Sequence, residues 1–210
     1  MNVMEYIYLF GHRQQAGKDS SVEIIKDILD SLNISHISSY FAKKLKEQTA
    51  EKYGLDFNKM GDDIYKKSKP VHLDGNLTIR DILIKEGCCS RDIWQNVWAF
   101  PLYKELLLSE CRIGLVSDFR YPSEYLCFDE CFNIINTQKQ FIKPKLIKVL
   151  VYKPDGKFIN DGPDNQLPDL DSYWDFTIIN DDKTPDWKQN IKRQLKNMIK
   201  STIGVNNVLR

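Results

Sequence analysis

The chain has 210 residues, with 30 Lys and Arg against 29 Asp and Glu, a formal net charge of +1 and 42% hydrophobic residues. That length suits one α/β domain with an insertion, and lysines scattered among acids exclude the basic excess of a nucleic-acid-binding protein. No apolar stretch reaches membrane-spanning length and the first residues lack the pattern of a signal peptide, so the expectation is a soluble, cytoplasmic protein without a membrane partner.

The apolar run Tyr6-Ile7-Tyr8-Leu9-Phe10 predicts a strand, and Val22, Ile25, Ile28, Leu29 and Leu32 predict a helix. Between them Gly11 to Ser20 reads GHRQQAGKDS, a phosphate-binding loop in the strand–loop–helix setting that such a motif needs. Small residues there let backbone N–H groups turn toward one anion, the helix N-terminus adds its dipole, and a lysine reaches the outer phosphates. Lys18 is the leading candidate, with Gly11, Gly17, Asp19, Ser20 and Ser21 around it. The fit to G-x-x-x-x-G-K-[ST] is imperfect: His12 stands where the first glycine belongs, and Asp19 replaces the hydroxyl after the lysine. A carboxylate there suits Mg²⁺, directly or through water, with Ser20 left for a phosphate. Asp and Ser are also favoured at any helix start.

His36 to Tyr40 predicts a second strand and Ala42 to Tyr53 a helix with Leu45, Thr49 and Ala50 on one side. From Gly54 to Asn76 periodicity fades, and Lys66-Lys67-Ser68-Lys69-Pro70 reads as exposed insertion. Thr78 caps a helix that Gly87 is expected to close, and Arg80 lies in its first turn, where the helix dipole favours an anionic partner beside a cation. Asp92 to Glu110 predicts a longer helix, kinked or restarted at Pro101, on which Trp94 and Trp98 share a face.

Ile113 to Ser117 is the next predicted strand, running into Asp118-Phe119-Arg120. An open parallel sheet binds ligands beyond the carboxyl ends of its strands, so Asp118 suits Mg²⁺ or its water shell and Arg120 suits phosphate oxygens, although an Asp–Arg surface turn reads similarly. Ser123 to Cys131 predicts a helix, Leu146 to Tyr152 and Phe176 to Ile179 two strands, and Thr184-Pro185-Asp186 the start of a closing helix that Gly204 ends. Pro154 to Asp171 reads equally as a lid and as a surface excursion. Five cysteines without a C-x-x-C pair argue for reduced thiols rather than zinc. Alternating strands and helices predict a mostly parallel sheet with helices on both faces.

Five segments in order carry a resemblance: Gly17-Lys18-Asp19-Ser20; Phe41-Ala42-Lys43-Lys44-Leu45-Lys46 with Gly54-Leu55-Asp56; Thr78-Ile79-Arg80 with Gly87 and Arg91; Val116-Ser117-Asp118-Phe119-Arg120 with Glu124; and Phe176 to Asp182. Together they resemble the deoxynucleoside monophosphate kinase family of bacteriophages and large DNA viruses, a branch of the P-loop nucleoside monophosphate kinases. The resemblance implies a three-layer P-loop fold over residues 1–210, an acceptor-binding insertion over 42–110 and a lid over 153–172. It implies ATP and Mg²⁺, small-molecule nucleotide substrates, and leaves a homodimer open. Lys18, Asp19 and Asn180 would serve ATP, Asp19 and Asp118 the metal, and Lys46, Arg80, Arg91, Trp94 and Arg120 the acceptor, with Lys153 in the lid. Lys18, Asp118 and Arg120 would carry the catalysis. The chain departs from the family pattern at Ile84, where a glutamine is common, at Asp164-Asn165-Gln166-Leu167, where a His-Ser-Glu-like segment is common, and at Lys153, where arginine is expected. A P-loop kinase of another small phosphorylated acceptor, such as phosphomevalonate, and a non-catalytic nucleotide-binding protein are the alternatives.

Overall fold

A computed structural model describes residues 4–11, 16–73, 75–137, 141–154, 167 and 171–204. In chain order the elements are β1 (Tyr6–Gly11), α1 (Lys18–Ser31), β2 (His36–Ser39), α2 (Ala42–Tyr53), α3 (Asp63–Lys67), α4 (Ile79–Ile93) and α5 (Ala99–Leu108). There follow β3 (Ile113–Phe119), α6 (Pro122–Leu126), α7 (Phe128–Asn136), β4 (Lys145–Tyr152), β5 (Phe176–Ile179) and α8 (Trp187–Ile203). The strands form one sheet in the order β2-β3-β1-β4-β5, and every pairing is parallel. The molecule is thus an α/β fold with helices packed around a five-stranded parallel sheet.

β1 is the central strand and is apolar on both sides, as a strand buried under two helical layers must be. Ile7 and Leu9 enter a core with Leu102, Leu106, Phe128 and Phe132 of α5 and α7. Tyr8 and Phe10 enter the opposite core with Ile25, Leu29, Leu195 and Ile199 of α1 and α8. The β1-to-β2 connection therefore lies on one face and the next connections on the other, as right-handed crossovers require. Connections that diverge at β1 open a crevice beyond its carboxyl end, where Gly11, Phe119, Tyr152 and Ile179 finish their strands. All five cysteines are free.

Several local readings change. Gly87 does not end α4: it is buried within it, because a Cβ there would stand 3.2 Å from Leu45 Cδ2 of α2. Trp94 and Trp98 share no helical face, since Trp94 ends α4 in extended conformation and Trp98 precedes α5. Pro101 is tolerated as the third residue of α5, in its first turn. Ser123 to Cys131 is two short helices that meet at Cys127, and the closing helix starts at Trp187 rather than at Thr184, whose hydroxyl donates to Asp181 O at 2.9 Å. Residues 54–76 contain a 3-10 turn at Phe57–Lys59 and α3, and Met60, Ala50, Ile79 and Leu83 form a small third core beneath them. Gly204 ends α8 with φ 72, the left-handed conformation glycine favours.

Candidate active site

The phosphate loop is held by groups distant in sequence. Gly17 precedes α1 with φ 97, and a Cβ there would stand 2.3 Å from Asn180 Nδ2. Asn180 follows β5, is buried, and donates from Nδ2 to Ala16 O at 2.8 Å, while its backbone N–H donates to Tyr152 O at 2.7 Å. Buried Ser21 donates to Gly17 O at 3.0 Å, so it fixes the loop's exit and does not face outward. The capping residue of α1 is a glycine without a side-chain cap, and a helix N-terminus is where an anion is favoured. Lys18, the first helical residue, is buried, whereas Asp19 and Ser20 are exposed. Gly11 has a packing reason to be glycine: a Cβ would stand 2.5 Å from Trp174 Cη2 and 2.8 Å from Phe119 Cδ1. His12 lies outside the described residues.

β3 delivers Asp118 through an irregularity of register. Leu9 pairs with Val116 but Gly11 with Phe119, so β3 carries one extra residue beside the end of β1, a bulge that re-aims the side chains around it. Asp118 turns to the start of α2, where Oδ1 accepts from Phe41 N at 2.6 Å and Oδ2 from Ala42 N at 3.0 Å. Burial raises its pKa, against the downward pull of those amides, Arg120 and Lys46.

That bond orients α2 so that Lys46 faces the same charges. Lys46 is half-buried, its Nζ 4.9 Å from the Tyr40 ring centroid, and burial lowers its pKa. Asp118 and Asp19 favour its charge, while Lys66 and Arg120 oppose it. Asp19 of α1, Asp118 of β3, Arg120 just after β3 and Lys66 of α3 are thus the charges that act on Lys46. Arg80, in the first turn of α4, lies within electrostatic range of Asp63, which is paired with Lys66 at 2.7 Å. Lys66 is absent from the sequence-derived candidates; its only signal there was a cluster of lysines in a segment without periodicity.

Glu124 supports this group from below. It is buried; its Oε2 accepts from Arg120 N at 2.9 Å and Tyr121 N at 3.0 Å, and its backbone O accepts from Tyr103 Oη at 2.5 Å. Burial, with the Asp118 charge adding, pushes its carboxyl from 4.5 up to about 8. Arg91 stands 4.6 Å from the Tyr121 ring centroid and favours the Glu124 charge. Arg91 thus joins the Arg120 turn, whereas Trp94 tilts against Phe100 at 5.4 Å in a hydrophobic contact. Beside Tyr40 a groove of about 270 Å³ opens between α2 and α5.

Lys153 pairs with Asp182 at 2.5 Å, tying the end of β4 to the turn after β5. Of the expected lid beyond it, residues 155–166 and 168–170 lie outside the described residues. Ile84, where a glutamine was expected, is exposed on α4. Among the described residues no helix is long and apolar enough to cross a membrane, and no three His, Cys, Asp or Glu side chains gather as a metal site. A Mg²⁺ ion that is held mainly by phosphate oxygens and water needs only one or two carboxylates, and exposed Asp19 beside Lys18 fits that demand.

No protein-family model matches the chain, and no curated protein matches it. Among solved structures it is similar to the APS kinase of Mycobacterium tuberculosis, with 12% identity and a TM-score of 0.47, covering 94% of this chain and 96% of that one. A fungal RNA kinase gives 9% identity and a TM-score of 0.46, with 100% and 93% covered. A sugar kinase from Janibacter sp. HTCC2649 gives 12% identity and a TM-score of 0.44, with 97% and 96% covered.

Proposed function

We propose that this protein transfers the terminal phosphoryl group of ATP to a nucleoside monophosphate, a deoxynucleotide on the resemblance of its motifs. One observation supports the reading: Asp118 at the end of β3 accepts from the Phe41 and Ala42 amides at the start of α2, which ties the helix of Lys46 to the Arg120 turn, and the charges of Asp118, Arg120 and Asp19 all act on Lys46; cations placed there would offer a second anion position beside that of the loop. A nucleotide hydrolase needs the loop and a water; a kinase needs both positions.

In this reading the amides at the start of α1 and the Lys18 ammonium hold the outer phosphates of ATP. Asp19 would hold Mg²⁺, which would neutralise charge on the phosphate oxygens. Asp118, with both oxygens on the Phe41 and Ala42 amides, would assist the metal through its water shell and holds the start of the helix that carries Lys46. Arg120 offers a planar fork to the acceptor phosphate, while Arg80 and Arg91 flank it. The acceptor phosphate oxygen attacks the terminal phosphorus and the bond to the leaving diphosphate breaks, with no covalent enzyme intermediate. Charge stabilisation and alignment supply the rate.

The test is product formation from ATP, Mg²⁺ and a panel of ribo- and deoxynucleoside monophosphates. A diphosphate product supports the reading. Turnover only with a non-nucleotide phosphomonoester would favour a kinase for another small acceptor, a second reading for which the apolar Ile84 speaks. ATP binding without turnover of any acceptor would leave a nucleotide-binding protein.

A further inference from the structure

The groove between α2 and α5 has no part in the phosphate chemistry above, yet it adjoins that chemistry through two consecutive residues. Phe41 lines the groove, and its backbone N–H donates to Asp118 Oδ1 at 2.6 Å. Tyr40 lines it too, and its ring centroid stands 4.9 Å from Lys46 Nζ. Trp98, Pro101 and Leu102 supply apolar surface from the side of α5. The Trp98 indole N–H donates to Gly87 O at 3.3 Å, so this ring is held as a wall and has no donor left for a ligand. Pockets for drug-sized molecules begin at about 300 Å³, so a volume of about 270 Å³ suits a planar fragment the size of a base.

One polar constellation interrupts these walls. Glu105 of α5 accepts through Oε1 from Lys43 Nζ of α2 at 2.6 Å and through Oε2 from Ser39 Oγ, at the end of β2, at 2.9 Å. Three elements thus fix the carboxylate before any ligand arrives. Capacity remains, because a carboxylate offers about four acceptor positions and an ammonium three donors, while these contacts use two and one. An acceptor beside a donor matches the edge of a nucleobase, where an N–H adjoins a carbonyl or ring nitrogen. The other ion pair of the groove, Lys44 with Glu47, joins two residues of one helix and spans nothing.

We propose that the groove between α2 and α5 is the subsite for the base of the acceptor, with Tyr40 and Trp98 as walls and with Glu105 and Lys43 selecting the base by its edge. The proposal rests on the kinase reading for the phosphate end of the acceptor; the groove itself requires only a planar heterocycle with an adjoining donor and acceptor.

The experiment measures, by calorimetry without ATP, the binding of the four deoxynucleoside monophosphates and of 2-deoxyribose 5-phosphate, which has no base, to the wild type, Glu105→Gln and Lys43→Met. The wild type is expected to bind its preferred nucleotide at least about tenfold more tightly than the sugar phosphate. Each variant should weaken that nucleotide about tenfold and change the order of preference among the bases, with the sugar phosphate moved less than about twofold. Circular dichroism checks the fold, and Lys43→Met, on the partly exposed side of α2, keeps the test open if Glu105→Gln does not fold. A wild type that binds the sugar phosphate as tightly as every nucleotide, or binds none of them, overturns the subsite. So do variants that weaken the sugar phosphate as much as the nucleotides, since that is the mark of a disturbed α2 rather than of a lost base contact. Base-dependent binding with these variant effects, but no transfer from ATP to any monophosphate, removes the kinase reading and keeps the groove as a base site.

Discussion

At the scale of single residues, Lys18 and Glu124 are both buried charges, and their neighbours suit them to different tasks. Lys18 begins α1 after a glycine cap, and in the proposed kinase reading removal of its charge would take away a contact that strengthens as negative charge moves between phosphates. Lys18→Ala is expected to lower kcat on the order of a hundredfold or more while the fold survives; turnover of the folded variant within about threefold of wild type would displace the lysine from the chemistry. Glu124 shows itself through pH. Its carboxyl ionises near 8 in the folded protein and near 4.5 in the unfolded chain, so between those values the folded state holds a proton that the unfolded state has released. Stability must therefore fall as pH rises through that window. Glu124→Gln keeps an oxygen for the Arg120 and Tyr121 amides and removes the proton. It should flatten the dependence and exceed the wild type by roughly 1–3 kcal/mol at pH 8–9, read from urea midpoints across pH 5–9. An equally steep fall in the variant would assign the dependence to other groups; those nearest are Asp118, Arg91, Arg120 and Tyr121.

At the scale of elements, the strands and α2 were legible because their pattern is set by burial. β5 runs over Phe176–Ile179 and α2 over Ala42–Tyr53, as alternation and helical spacing predict. Gly87 misled because glycine signals a helix end by its own freedom, while here it makes room for Leu45 of another helix, a contact no local pattern contains. α3 was hidden for the same reason: it owes its order to Asp56, Ile79 and the small core beneath it. Asp118 was legible as a residue at a strand end but not as the carboxylate that caps α2, since the bulge that aims it arises from pairing with β1. That contact separates the two carboxylates by experiment. Asp118→Asn leaves one of the Phe41 and Ala42 amides short of an anionic acceptor and should cost about 1–2 kcal/mol of stability, with the Mg²⁺ concentration at half-maximal activity little moved. Asp19→Asn, exposed in the first turn of α1, should shift that Mg²⁺ concentration several-fold and leave stability within about 0.5 kcal/mol. The reverse pattern in paired Mg²⁺ and urea titrations would return the metal to Asp118.

For the whole molecule, the decisive feature is that one crevice is built from both faces of the sheet. Ala16, at the end of the loop before α1, joins the layer of α1 and α8 and is latched by Asn180 just after β5; Asp118 holds the amide of Phe41, which caps α2 and packs in the opposite layer with α5 and α7. ATP bound in the loop would touch Lys18, the α1 amides and Asp19, and so engage residues anchored in the first layer and in the end of the sheet. Its binding free energy then adds to the stability of the fold: at a free concentration of 100 times Kd, a ligand specific for the native state contributes about 2.7 kcal/mol. For a chain of this length each kcal/mol raises Tm by about 2–4 °C, so ATP with Mg²⁺ should raise Tm by roughly 5–10 °C. A monophosphate alone at the same multiple of its own Kd should raise Tm by a similar amount, because in the proposed reading Lys46, Arg80 and Arg120 would hold it without help from ATP. Lys18→Ala should abolish the ATP shift and keep the monophosphate shift, and Arg80→Lys should do the opposite, since an ammonium cannot reproduce the guanidinium fork. If thermal scans instead show that Lys18→Ala removes both shifts, the two anion positions are one site, and the division of labour between the loop and the α2–α4 insertion fails.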